Sequence, residues 1–90
     1  MQALTDAEDR LLDELYFVTT YPDLVQQLTL QESVLRTTLT SLLHKGFIIQ
    51  MQYNDVMKDY EKLEQPDFSV MERSAFVASR QGLIVHNSRS

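Results

Sequence analysis

Leu24-Val25-Gln26-Gln27-Leu28-Thr29-Leu30-Gln31-Glu32-Ser33-Val34-Leu35-Arg36 is the stretch on which the fold turns. Pro22, just ahead of it, suits the first turn of a helix, and Leu24, Val25 and Leu28 give that helix an apolar stripe about two turns long. Thr29-Leu30-Gln31 leaves room only for a tight connection before a longer helix begins at Gln31 or Glu32. The spacing of Val34, Leu35, Leu39, Leu42 and Leu43 predicts that this helix runs to Lys45, with Gly46 placed for a left-handed cap. Its other face is Ser33, Arg36, Thr37, Thr40 and Ser41, nearly all hydroxyl-bearing.

Toward the amino terminus, Thr5 reads as a helix N-cap. Asp6, Glu8 and Asp9 fill the first turn, where the helix dipole favours them, and Glu8 stands three residues on, as a capping box requires. Leu11, Leu12, Leu15, Tyr16 and Val18 then form one apolar face, so the helix is expected to end near Thr19 and Thr20. Toward the carboxyl terminus the period changes after Gly46. Phe47-Ile48-Ile49-Gln50-Met51-Gln52-Tyr53 predicts a strand and Ser74-Ala75-Phe76-Val77-Ala78 a second, joined by a long polar tip over Asn54 to Arg73. Ser79 then caps a short helix or turn through His86, and Ser88-Arg89-Ser90 reads as a frayed end.

Two further segments connect this order to a known type. Leu39-Thr40-Ser41-Leu42-Leu43-His44-Lys45-Gly46-Phe47-Ile48 resembles the end of a recognition helix running into a first wing strand, and Ser79-Arg80-Gln81-Gly82-Leu83 resembles the capped segment after the second. With Leu28 before the turn and Leu35 after it, the chain resembles MarR-type and related winged helix-turn-helix regulators over nearly its whole length. The resemblance implies an α+β winged helix-turn-helix, with a three-helix core, a two-stranded wing with a long acidic tip and a short C-terminal helix. It also implies that Ser33, Arg36, Thr37, Thr40 and Ser41 meet DNA, because the type leaves the outer face of its longer helix free for a major groove.

Composition bounds what such a domain can do. Ninety residues suit one domain over 1–90, which buries only about 60 to 65 % of its unfolded surface, so homodimerisation is an open route to further stability. The chain has no cysteine, which removes disulfides and thiolate zinc sites. Met1 to Arg10 is acidic rather than basic and apolar, unlike a signal peptide, and the apolar runs are far short of the roughly 20 residues that span a bilayer. A cytoplasmic, non-membrane protein is expected. His44 and His86 stand apart without helical ligand partners, no nucleophile has a recognisable setting, and Gly46 and Gly82 both read as cap or turn residues. No metal, cofactor or catalysis is expected.

Charge complicates the DNA reading. The net charge is −5 and the isoelectric point about 4.8, whereas DNA affinity comes mainly from cations displacing phosphate counterions. Residues 22–46 balance Asp23 and Glu32 against Arg36 and Lys45, so the reading head is neutral. The wing sets Asp55, Asp59, Glu61, Glu64, Asp67 and Glu72 against Lys58, Lys62 and Arg73 and should be repelled by phosphate. Its apolar residues, among them Val56, Met57, Tyr60, Phe68, Val70 and Met71, either pack on the domain or meet a protein partner. Two readings therefore stand. One is a DNA-binding transcription regulator that presents helix 31–45 to double-stranded DNA, weakly and salt-sensitively. The other is a non-catalytic protein-interaction module that meets a partner through its acidic wing, with Phe17, Tyr21, Tyr60 and Phe68 as candidate contacts.

Overall fold

The computed structural model describes residues 4–88, so Met1–Ala3 and the end predicted to fray at Arg89 and Ser90 lie outside the described residues. Helix α1, Asp6–Glu14, begins on the predicted capping box: the Glu8 N–H donates to Thr5 Oγ1 at 3.1 Å and the Thr5 N–H to Glu8 Oε1 at 2.9 Å. It stops five residues before the expected end. Val18-Thr19-Thr20 is β-branched and gains more as strand β1, Thr19–Thr20, which pairs with a later strand through Thr19 opposite Phe76 and Thr20 opposite Ala75. Helical spacing therefore ceases to apply beyond Leu15. Tyr16 and Val18, expected on the buried face, are exposed.

Thr20 caps α2, Tyr21–Gln27, by accepting from the Asp23 N–H, with Pro22 in the first turn where its missing donor costs nothing. Helix α3 spans Glu32–Lys45, as its periodicity predicts, and Gly46 closes it at φ 75°, in the left-handed region. Leu11, Leu12, Leu15, Leu24, Leu28, Leu35, Leu39, Leu42 and Leu43 form the helical part of the core, while Val25 and Val34 stay exposed.

The predicted two-stranded wing is a larger sheet. Strand β2, Ile48–Asn54, pairs with β3, Asp59–Lys62, across the short tip 55–58, and on its other side with β4, Ala75–Ala78. The order is β1-β4-β2-β3, antiparallel throughout. The segments expected to pair do so, with Ile48 opposite Ala78 and Gln50 opposite Phe76, but the connection between them is not one long loop. It makes β3 and then returns through two 3-10 turns, Phe68–Arg73, kinked at Val70.

Gln50 fixes that return. Buried on the core face of β2, its side chain grips the Asp67 backbone, with Nε2 donating to the Asp67 carbonyl at 2.9 Å and Oε1 accepting from the Asp67 N–H at 2.9 Å. Nε2 also donates to Ser74 Oγ at 2.8 Å. Asp67 then caps the 3-10 turns through Ser69, whose hydroxyl and N–H hold its carboxyl below the usual range. Helix α4, Arg80–Asn87, is capped by Ser79, as predicted. Gly82 is not a turn residue: it lies inside this helix, where a Cβ would stand 1.9 Å from the Phe47 carbonyl oxygen. The glycine is what lets α4 close onto the start of the sheet.

Among the described residues, no helix is long and apolar enough to cross a membrane.

Candidate functional site

The outer face of α3 is bounded on both flanks. One flank faces α1. Glu8 is buried, although a carboxylate on the first turn of a surface helix is ordinarily solvated. Its oxygens accept from Lys45 Nζ at 2.8 and 3.0 Å and from Ser41 Oγ at 2.8 Å, besides the Thr5 N–H. Burial pushes the carboxyl up, but the Lys45 ammonium, the Thr5 N–H and the Ser41 hydroxyl together outweigh it and hold Glu8 below its ordinary value. Ser41, expected to face DNA, is thereby turned to α1.

The other flank lies beneath the 3-10 turns. Arg36, Thr40 and His44 are four residues apart and form one stripe along α3. The segment 68–73 runs antiparallel to that stripe and meets each member in turn: Glu72 pairs with Arg36, Met71 Sδ lies 3.9 Å from Thr40 Oγ1, and the Phe68 ring stacks on His44 with centroids 5.1 Å apart. Met71 is buried in the core, and the segment it belongs to also packs against α2. The Thr40 hydroxyl donates to the Arg36 carbonyl of its own helix. Of the five residues the resemblance assigns to DNA, Ser33 and Thr37 are left exposed, and the Thr37 hydroxyl is itself donated to the Ser33 carbonyl.

The four candidate partner contacts also separate. Tyr21 is a core residue whose hydroxyl donates to Glu32 at 3.0 Å; burial, then Glu32, push its phenol up. Phe68 belongs to the cover over α3. Phe17 is 82 % exposed in the link between α1 and β1. Tyr60 packs edge-on against Tyr53 at 5.4 Å on one face of the β2–β3 hairpin.

Two further features stand outside these sets, the first of them with little signal in the sequence. His86, separated from α1 by most of the chain, lies between two of its carboxylates, with Nδ1 2.7 Å from Asp9 and Nε2 3.3 Å from Asp13. Tyr16 meets the same ring edge-on and its hydroxyl donates to Asn87, so the group ties α4 to α1. The second is the hairpin tip, where Val56 is 88 % and Met57 66 % exposed. Asn54 Oδ1 accepts from both their N–H groups, the Lys58 N–H donates to the Asn54 carbonyl, and Lys58 takes a left-handed φ of 58°. The tip is thus a defined turn.

No protein-family model, curated protein or solved structure matches this chain.

Proposed function

We propose that this chain is a winged-helix domain working as a non-catalytic protein-interaction module, with the β2–β3 hairpin as its wing. The element order supports the winged-helix reading: α2 and α3 form the helix-turn-helix pair, and the hairpin follows α3 directly. The observation that carries the functional reading is the cover on α3. A helix reads a major groove, about 12 Å wide, by sinking its outer face between the phosphate walls. Here Glu72, Met71 and Phe68 lie along one flank of that face and α1 engages the other. Arg36, the cation best placed to contact phosphate, is neutralised by Glu72.

Charge supports the same reading, since the wing adds carboxylates where a DNA-bound wing carries cations. Polarisation titration of mixed-sequence duplex DNA tests it. The expected result is weak binding at low salt that vanishes at physiological salt, and tight binding surviving physiological salt would overturn it.

A further inference from the structure

The sheet ends in unpaired backbone. Strand β3 is the last in the order β1-β4-β2-β3, and an open edge is a template for another strand. The opposite edge, β1, is shorter and runs straight into α2. Which groups of β3 point outward follows from two contacts. The Leu63 N–H donates to the Gln50 carbonyl at 3.0 Å, so in the β2–β3 register Leu63 and Glu61 turn their backbone groups toward β2. Tyr60 and Lys62 therefore turn theirs outward. The Tyr60 N–H agrees with this alternation: it donates outside the ladder, to Asp59 Oδ1 at 2.7 Å. A side chain of the same strand thus already holds one of the donors that the edge presents.

A second copy of the chain is the strand always at hand. Antiparallel pairing across a two-fold axis keeps both sheets facing the same way, so directly opposite residues share a face and differ by an even number of positions. Asp59 and Glu61 share one face of β3, Tyr60 and Lys62 the other. Two registers overlap three residues of each Asp59–Lys62 strand. One centres on Tyr60 and sets Asp59 opposite Glu61 of the second copy on both sides of the axis. The other centres on Glu61 and sets it opposite itself. Like charges directly opposite weaken a strand pair, and both registers carry them. We propose that Asp59 and Glu61 close the β3 edge to a second copy of this chain, Asp59 by holding the Tyr60 N–H and both by setting carboxylate against carboxylate. The homodimer left open by the size of the chain therefore does not form by joining sheets at β3, and the hairpin stays single. The inference goes beyond the interaction-module reading and does not depend on it.

Charge reversal tests it. D59K/E61K sets lysine against lysine in the same registers and should also stay apart from itself, but it meets the parent with opposite charges at each of these pairs. An equimolar mixture of the two full chains is expected to form a one-to-one complex in sedimentation velocity, about tenfold or more tighter than either chain binds itself. With one partner isotope-labelled, solvent exchange of the Lys62 amide should slow in the mixture, because its outward N–H gains an acceptor. D59T/E61T, neutral and β-branched, removes both the repulsion and the Asp59 carboxylate, and should pair with itself, again slowing Lys62 exchange. Lys62 exchange that slows with concentration in the parent alone would overturn the proposal, since the edge would then pair with its carboxylates in place. So would a mixture and a D59T/E61T variant that keep the helical far-ultraviolet signal yet leave Lys62 exchange as fast as in the parent, because the edge would then stay single without them.

Discussion

Lys45, at the last residue of α3, donates twice to the Glu8 carboxylate on the first turn of α1, so a charge pair ties the end of α3 to the start of α1. The two partners are unequally buried: the Glu8 side chain is 3 % exposed and that of Lys45 23 %. Loss of the lysine strands a buried anion, whereas loss of the carboxylate frees an amine that reaches water. Lys45→Met is therefore expected to cost about 3 kcal/mol at neutral pH and Glu8→Gln about 1 kcal/mol, since glutamine still serves the capping box. Urea melts of the two variants check the order.

The same pair sets a pH dependence. Glu8 has its folded-state value depressed below the ordinary 4.5, so its contribution is complete above that value and is lost as pH falls through the lower one. In Lys45→Met the lowering influence of the ammonium is gone and burial favours the protonated acid. The variant should lose less on acidification than the parent, and the gap between their urea midpoints should narrow from pH 7 to about pH 3. A gap that widens would show that Glu8 is not the titrating group.

The two glycines give a comparison of mechanisms. Gly46 has a positive φ but open space around its missing Cβ, so Gly46→Ala meets only the left-handed penalty, about 1 kcal/mol, and Gly46→Asn less. Gly82 has an ordinary helical backbone, and alanine there would be favoured by propensity alone. Its Cβ meets the Phe47 carbonyl, backbone that cannot turn aside, so Gly82→Ala should cost about 2 kcal/mol or more and lower Tm by roughly 10 °C. Thermal melts that rank Gly46→Ala below Gly82→Ala would contradict this account.

That contrast shows what the residues disclose in advance. Caps are local chemistry, so Thr5 with Glu8, Pro22, Gly46 and Ser79 mark helix ends that the structure reproduces. Strand β3, Asp-Tyr-Glu-Lys, has no apolar alternation, and forms because β2 offers a free edge after a short turn. Gly82 looks like a turn because its reason, the Phe47 carbonyl, lies 35 residues away in sequence. The face of α3 is half legible in the same sense. Its hydroxyl-rich stripe is visible, and Phe68, Val70 and Met71 announce that the following segment packs somewhere. Nothing local says that it packs there, because Gln50 directs the return by gripping backbone, which carries no residue signature.

Gln50 accordingly carries more than its own burial. Gln50→Leu keeps the volume but leaves the Asp67 N–H and carbonyl without their partners and removes a donor from Ser74. The expected loss is about 2 kcal/mol, accompanied by amide exchange that rises in 67–74 more than in α3. Uniform loss of protection would mean that the return segment and the helices open together.

Uncovering α3 separates its geometry from its charge. Phe68→Ser with Glu72→Ala removes the His44 stack and the Arg36 pair while leaving Met71 in the core. Tryptic cleavage at Arg73 is expected to accelerate, with the far-ultraviolet helical signal unchanged. Steric access to α3 improves in this variant, yet the face gains only the released Arg36. Counterion release then predicts a log affinity against log salt slope of about −1 for duplex DNA, too shallow for a binder that relies on phosphate contacts. A slope of about −5 or steeper would mean that residues beyond Arg36 contact phosphate once the cover is gone, and that the segment 68–73 keeps DNA away by itself, without help from a shortage of cations on the face beneath it.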